Sequence, residues 1–168
     1  MVLINNRLRV LHILPNFGPG GAERMAVNLM CGLVQDGFDV AAVSLYDRQG
    51  TDLELMLEER GIPVWYLGKR RGFDPRMYIR LERVLRRLQP DVIHTHLYVL
   101  RYLWPLSAYR HATARIHTVH NIAEKEVDAA GRCLHYVAFR TGVVPVAIAH
   151  ILWVVWAILR HTWRYFRT

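Results

Sequence analysis

The residues with the greatest capacity for chemistry are histidines, glycines and basic side chains placed where strands are expected to end. His94 and His96 lie two apart, so in an extended strand they share one face. His117 and His120 form a second group, followed directly by Asn121. A neutral imidazole both donates and accepts, and near neutral pH it can take up or release a proton. That suits general acid–base work and hydrogen bonding to a hydroxyl group. His117 falls inside a strand and reads as structural, whereas His120 stands just past it and is the better catalytic candidate. A zinc centre would want a third ligand and an orienting carboxylate. The surrounding sequence supplies no such acid, so no metal is expected. No Ser-His-Asp or Cys-His signature is present.

Two further segments invite an anion. Asn16-Phe17-Gly18-Pro19-Gly20-Gly21 is a loop between a strand and a helix. Glycines there let backbone N–H groups approach a phosphate, and the helix N-terminus adds a favourable dipole. The loop is neither GxGxxG nor a P-loop, and a plain tight turn accounts for its glycines equally well. Lys69-Arg70-Arg71, between Gly68 and Gly72, reads as a basic mobile loop. It could contact a phosphate or an anionic membrane, and a solvated charge run is the commoner explanation.

The elements that must position these residues alternate. Extended runs are expected at 8–14, 40–45, 64–67, 92–94, 115–119 and 143–149. Helices are expected at 22–36, 53–60, 75–88, 98–109 and, more weakly, 124–140. Thr51 and Glu54 form a capping-box pattern. Asp74 is placed to cap the helix that Pro75 opens. That helix buries Tyr78, Leu81, Val84, Leu85 and Leu88 and turns Arg76, Arg80, Arg83, Arg86 and Arg87 to solvent. Strand–helix alternation implies a parallel sheet with crossover helices. The unbroken apolar runs 64–67 and 143–149 suit strands covered on both faces. In such a sheet ligands bind beyond the carboxyl ends of the strands, where the residues above gather.

The chain has 168 residues, 52% apolar and 21% charged, enough for one domain with a core. Its formal net charge of +8 favours anionic partners. No RNP, helix-turn-helix or zinc-finger pattern appears, so nucleic acid is not expected. Cys31 and Cys133 form no disulfide or zinc signature and suit a reducing compartment, and no signal peptide is evident. A cytoplasmic location is therefore expected, with the inner face of the membrane as a place for the basic surface. Residues 1–150 read as one domain. Residues 151–168, ILWVVWAILRHTWRYFRT, form an atypical tail rich in tryptophan and arginine. Three readings of it stay open: a last helix on the sheet, a membrane-surface helix, or a frameshifted end.

The segments LHILPNFGPGGAERMAVNLMCGL, QPDVIHTHLY and RIHTVHNIAEKEV, at their spacing, resemble the N-terminal domain of family 4 glycosyltransferases. The resemblance covers roughly residues 8–149. It implies a Rossmann-like three-layer α/β domain with a mostly parallel sheet, the acceptor-side half of a GT-B fold. It implies retaining transfer from a nucleotide-sugar, UDP- or GDP-linked, to a glycan or lipid-linked acceptor, as in polysaccharide biosynthesis. By the same resemblance, Gly20 and Gly21 face the cleft between two domains. His120 sits by the transferred sugar, and His96 lines the acceptor side, with Asn16 and Asn121 beside them. No cofactor is expected in this half. The family's second domain carries the paired glutamates and most of the nucleotide contacts, and none of those is found in this sequence. The chain alone is accordingly expected to be inactive without that domain. Two other readings are a non-catalytic module that engages a partner domain or membrane, and a sugar-nucleotide epimerase-like enzyme on the same fold.

Overall fold

The computed structural model describes residues 7–112, 114–120 and 128–148. Six strands form one sheet: β1 (Arg9–Leu14), β2 (Asp39–Ser44), β3 (Val64–Tyr66), β4 (Val92–His96), β5 (Ala114–Val119) and β6 (Val143–Ala147). Their order is β3-β2-β1-β4-β5-β6, with every neighbouring pair parallel. This is the order of the dinucleotide-binding sheets, and the direction of winding reverses between β1 and β4.

Alternation along the strands splits the interior into two cores. On one face, Leu14, Val40 and Ala42 meet Ala26, Val27 and Met30 of α1 (Gly21–Gln35) and Leu53 and Leu57 of α2 (Asp52–Glu59). On the other, Leu11, Ile13, Val43 and Ile93 meet Met77, Leu81 and Leu85 of α3 (Arg76–Leu88). That second face continues over α4 (Leu100–Leu103), α5 (Ser107–Arg110) and α6 (Ala129–Arg140). The result is the expected three-layer α/β domain.

Local chemistry sets the helix ends. Thr51 Oγ1 accepts from Glu54 N at 3.3 Å, and the Glu54 carboxylate accepts from Thr51 N at 3.0 Å, so the capping box forms as read. Thr51 Oγ1 also donates to the Phe17 carbonyl at 2.6 Å, tying α2 to the glycine loop. Asp74 accepts from Arg76 N at 3.2 Å and so caps α3, although the helix proper starts one residue later than expected. Met77, Leu81 and Leu85, four apart, form its buried stripe. Tyr78, Val84 and Leu88 only flank that core.

Three expectations need correction. The run 143–149 holds an edge strand that is open on one face, not one covered on both, whereas β3, at the other edge, does pack on both cores through Val64 and Trp65. Val144, Val146 and Ile148 are about half exposed on the α1 side, because no described helix covers that side of β6. Apolar continuity marks burial on one face plus propensity; it does not fix a position in the sheet. The helix expected over 98–109 is a 3-10 turn (Leu97–Val99) followed by α4 and α5, broken at Pro105, which has no N–H to continue the helical bonding, and at Leu106, whose backbone is extended. Finally, Lys69 is buried, not solvated. The 151–168 tail and Asn121 lie outside the described residues.

Candidate active site at the carboxyl end of the sheet

The glycine loop is shaped by Asn16, whose Oδ1 accepts from Gly18 N at 2.8 Å. Gly20 is the N-cap of α1 and has no side chain to offer, so no side-chain cap closes that helix end. A Cβ at Gly20 would collide with the Glu23 carboxylate, whereas one at Gly21 would meet nothing within 4 Å. The two glycines thus differ. The first makes room for Glu23 to fold back, and the second leaves the backbone open to approach.

Beside this loop lies a cleft of about 550 Å³ lined by Asn16, Glu23, Tyr46, Lys69, Arg71 and Tyr98, among others. It sits at the carboxyl ends of β1 to β4, where the winding reverses and where open α/β sheets bind ligands. Lys69 is 7% exposed. Its ammonium donates to Tyr46 Oη at 3.2 Å, to the Arg70 carbonyl at 3.0 Å and to the Gly72 carbonyl, which uses all three donors. It also lies 4.9 Å from the centroid of the Tyr46 ring. Tyr98 Oη donates to Tyr46 Oη at 3.5 Å, and this bond first, then Lys69, lowers the Tyr46 phenol below its ordinary value. Asp74 accepts from Arg70 N at 2.9 Å and from the Arg76 guanidinium at 2.7 Å. Those donors hold its carboxyl far below the usual carboxylate range. Arg70 and Arg71 remain exposed, so of the basic triplet only these two are free to meet a ligand.

The histidines converge more closely than spacing alone implied. β4 continues to His96, and the register sets His12 of β1 beside His94. His12 Nδ1 lies 3.2 Å from His96 Nε2, and His96 Nδ1 lies 3.1 Å from His120 Nε2. The His94 and His96 rings stack at 4.2 Å, and His94 Nε2 bonds Thr118 Oγ1 at 2.7 Å. Burial keeps His12 and His96 neutral well below the usual imidazole value and pushes His94 down to about 4. His117, on the opposite face, bonds Thr95 Oγ1 at 2.8 Å and packs on His135, as a structural residue would.

Nitrogens of His12, His94 and His96 lie within 4.8 Å of one another. One zinc ion holds its imidazole nitrogens at about 2.0–2.1 Å, with the rings splayed around it. Stacked rings and the Thr118 bond do not present that arrangement. His96 hands the chain on to Leu97, which adopts φ 55°, a left-handed conformation costly for a branched side chain, at the cleft wall.

Asn16, Lys69 and Arg71 therefore meet at the cleft, with Gly20 and Gly21 at its rim, while His96 and His120 adjoin through the imidazole contacts. His12, Tyr46, Tyr98 and Leu97 were not singled out from the sequence. The His12 signal exists only once β1 and β4 are known to be neighbours.

A parallel sheet in this order, with its cleft at the winding reversal, defines a Rossmann-like α/β domain. The sequence model described as Glycosyltransferase Family 4 matches residues 19–167, and the chain belongs to that family. Among solved structures it is similar to a glycosyltransferase from Rickettsia africae ESF-5, at 17% identity and a TM-score of 0.63, covering 86% of this chain and 37% of that one. It is also similar to Anabaena HepE, solved in complex with UDP and glucose, at 16% identity and a TM-score of 0.63, covering 89% of this chain and 40% of that one. No curated relative matches. The chain thus spans about two-fifths of each of these structures. Among the described residues, no helix is long and apolar enough to cross a membrane.

Proposed function

We propose that this chain forms the acceptor side of a glycosyltransferase, moving a sugar from a UDP- or GDP-sugar to a glycan or lipid-linked acceptor with retained configuration. A second Rossmann-like domain, on the same or another polypeptide, would hold most of the nucleotide. The observation that carries this reading is the cleft itself: polar and aromatic walls from Tyr46, Tyr98, Asn16 and Arg71 meet an uncapped helix end at the winding reversal. Aromatic faces and hydroxyls suit a sugar. Arg71 and the α1 N-terminus suit a phosphate on donor or acceptor. His120 is the residue assigned to the transferred sugar, as hydrogen-bond partner or proton carrier. Work at the cytoplasmic face of a membrane fits a lipid-linked acceptor. Arg83, Arg86 and Arg87, with exposed Phe73 and Ile79, would lie toward that surface.

The test joins the chain to a complementing second domain and follows labelled UDP- and GDP-sugars. Transfer to a lipid or glycan extract, lost in His120→Ala, is the expected result. Epimerised free donor with no acceptor product would contradict it. A second reading, a non-catalytic module, is favoured by one observation, the exposed apolar row Val144, Val146 and Ile148 on β6.

A further inference from the structure

Lys69 carries a charge that its own contacts leave unanswered. It is buried, and its three partners, the Tyr46 hydroxyl and the Arg70 and Gly72 carbonyls, are all neutral oxygens. Buried charges in folded proteins are ordinarily paired, yet no carboxylate pairs with this one among the described residues. Its three N–H groups are all engaged, so a ligand in the cleft cannot bond the ammonium itself. Of its three partners, Tyr46 is the one that lines the cleft, and Tyr98 lines it too.

The two phenols have a simple proton count. They hold two hydroxyl protons, and their contact at 3.5 Å takes up at most one, whichever ring donates. Lys69 only donates, so it accepts neither. At least one O–H is left over, and the described residues offer no acceptor for it. The Tyr98 bond first, then Lys69 and Arg71, lower the Tyr46 phenol below its ordinary value, which makes its hydroxyl a stronger donor to an anion. Arg71 brings an exposed guanidinium to the same cleft. The one carboxylate of the lining, Glu23, accepts from hydroxyl groups and repels a bare anion.

We propose that Tyr46 and Tyr98, backed by the buried charge of Lys69 and joined by Arg71, seat the acidic group of a sugar, phosphate or carboxylate, and that the acceptor is the molecule that carries it. The anion supplies the counter-charge that Lys69 lacks without displacing any of its bonds. A neutral sugar would leave that charge unanswered. A bare anion would gain nothing from Glu23, whereas sugar hydroxyls can donate to it. Tyr46 is then a specificity-determining residue, and Lys69 is a positioning residue that acts through it. Giving the acidic group to the acceptor, not to the donor diphosphate, rests on the acceptor-side reading of this chain.

The test titrates the full chain, labelled at tyrosine Cζ, with glucose-6-phosphate, glucuronate, glucose and UDP, followed by NMR and calorimetry. Both acidic sugars are expected to bind and to move the Tyr46 Cζ resonance, with UDP leaving it in place. Glucose is expected to bind at least about 10-fold more weakly, and Tyr46→Phe to lose about 10–100-fold for the acidic sugars, the usual worth of a hydrogen bond to a charged group. In Lys69→Gln the Tyr46 phenol should titrate at higher pH than in the wild type, a shift that a merely structural lysine would not produce. Equal affinity for glucose and the acidic sugars overturns the proposal, as does unchanged affinity in a folded Tyr46→Phe. If that variant does not fold, a Tyr46 signal that neither acidic sugar moves in the wild type overturns it instead. UDP moving that signal as far as the acidic sugars would give the seat to the donor and equally overturn it. Acid-selective binding in a chain that transfers nothing with its second domain would overturn the transferase reading and leave the seat standing.

Discussion

Two regions at the carboxyl end of the sheet, a row of imidazoles and the cleft beside it, solve opposite electrostatic problems. On β1 and β4 and just past β5 stands a buried row of imidazoles kept uncharged by burial, with ring nitrogens in hydrogen-bond contact from His12 to His96 to His120. At the cleft, Lys69 is as buried as His94 yet has kept an ordinary cation's partners: two carbonyl oxygens and a phenol. The difference lies in what surrounds each group. Main-chain oxygens of a tight loop can solvate an ammonium, whereas neighbouring imidazoles can only penalise a second positive charge. One region is built to hold neutral hydrogen-bonding groups in place. The other carries the positive charge, with Arg71 exposed at its rim.

The comparison breaks most visibly at His120. In the chain joined to its second domain, His120→Ala is expected to lower transfer by about 10²–10⁴-fold, the usual worth of a positioned acid or base, while the lost bond to buried His96 costs only about 1–3 kcal/mol of stability. A comparable loss of stability instead would make His120 a structural residue.

The neutral region gives a pH signature. Folded His12, His94 and His96 resist protonation, while the unfolded chain takes up protons below about pH 6.5. Their contribution is therefore full above that pH and falls as acid is added. Each can contribute a slope of up to about 1.4 kcal/mol per pH unit between roughly 6.5 and 4. Urea melts at pH 7.5, 6.0 and 5.0 check this, and His94→Phe should flatten the slope. Asp74 and Asp91, held low by Arg76 and Arg9, act in the same direction only nearer pH 4 and below.

The charged region divides its labour, which gives the smaller effects. Lys69→Met strands the Arg70 and Gly72 carbonyls and should cost about 1–3 kcal/mol in denaturant melts. Arg71→Gln touches no buried group and should stay within about 0.5 kcal/mol while weakening acceptor binding. Equal stability losses would erase the distinction. Smallest of all, Arg9→Ala removes an exposed pair with Asp91 at 3.0 Å and should cost under about 1 kcal/mol, vanishing in high salt.

Much of this was legible in the sequence where a local signal carries the physics. The Thr51–Glu54 box, the glycine loop and the strand–helix alternation were read from residues close together in the chain. What was not legible depends on which strands are neighbours. His12 looks like one polar position in LHIL until β4 is laid beside it. Lys69 looks solvated until Tyr46 and the Gly72 turn close over it. β6 reads as a strand covered on both faces because its apolar residues do not record that one face lies uncovered.

The account turns on where the site is. Backbone-amide NMR of the labelled chain, titrated with a short glycan carrying a phosphate, tests this directly. The expected result is shifts at Asn16, Gly20, Gly21, Tyr46, Arg71 and Tyr98, saturating together. Shifts confined to the amino ends of the strands, around Arg9, Asp39 and Arg60, or none at millimolar ligand, would contradict it.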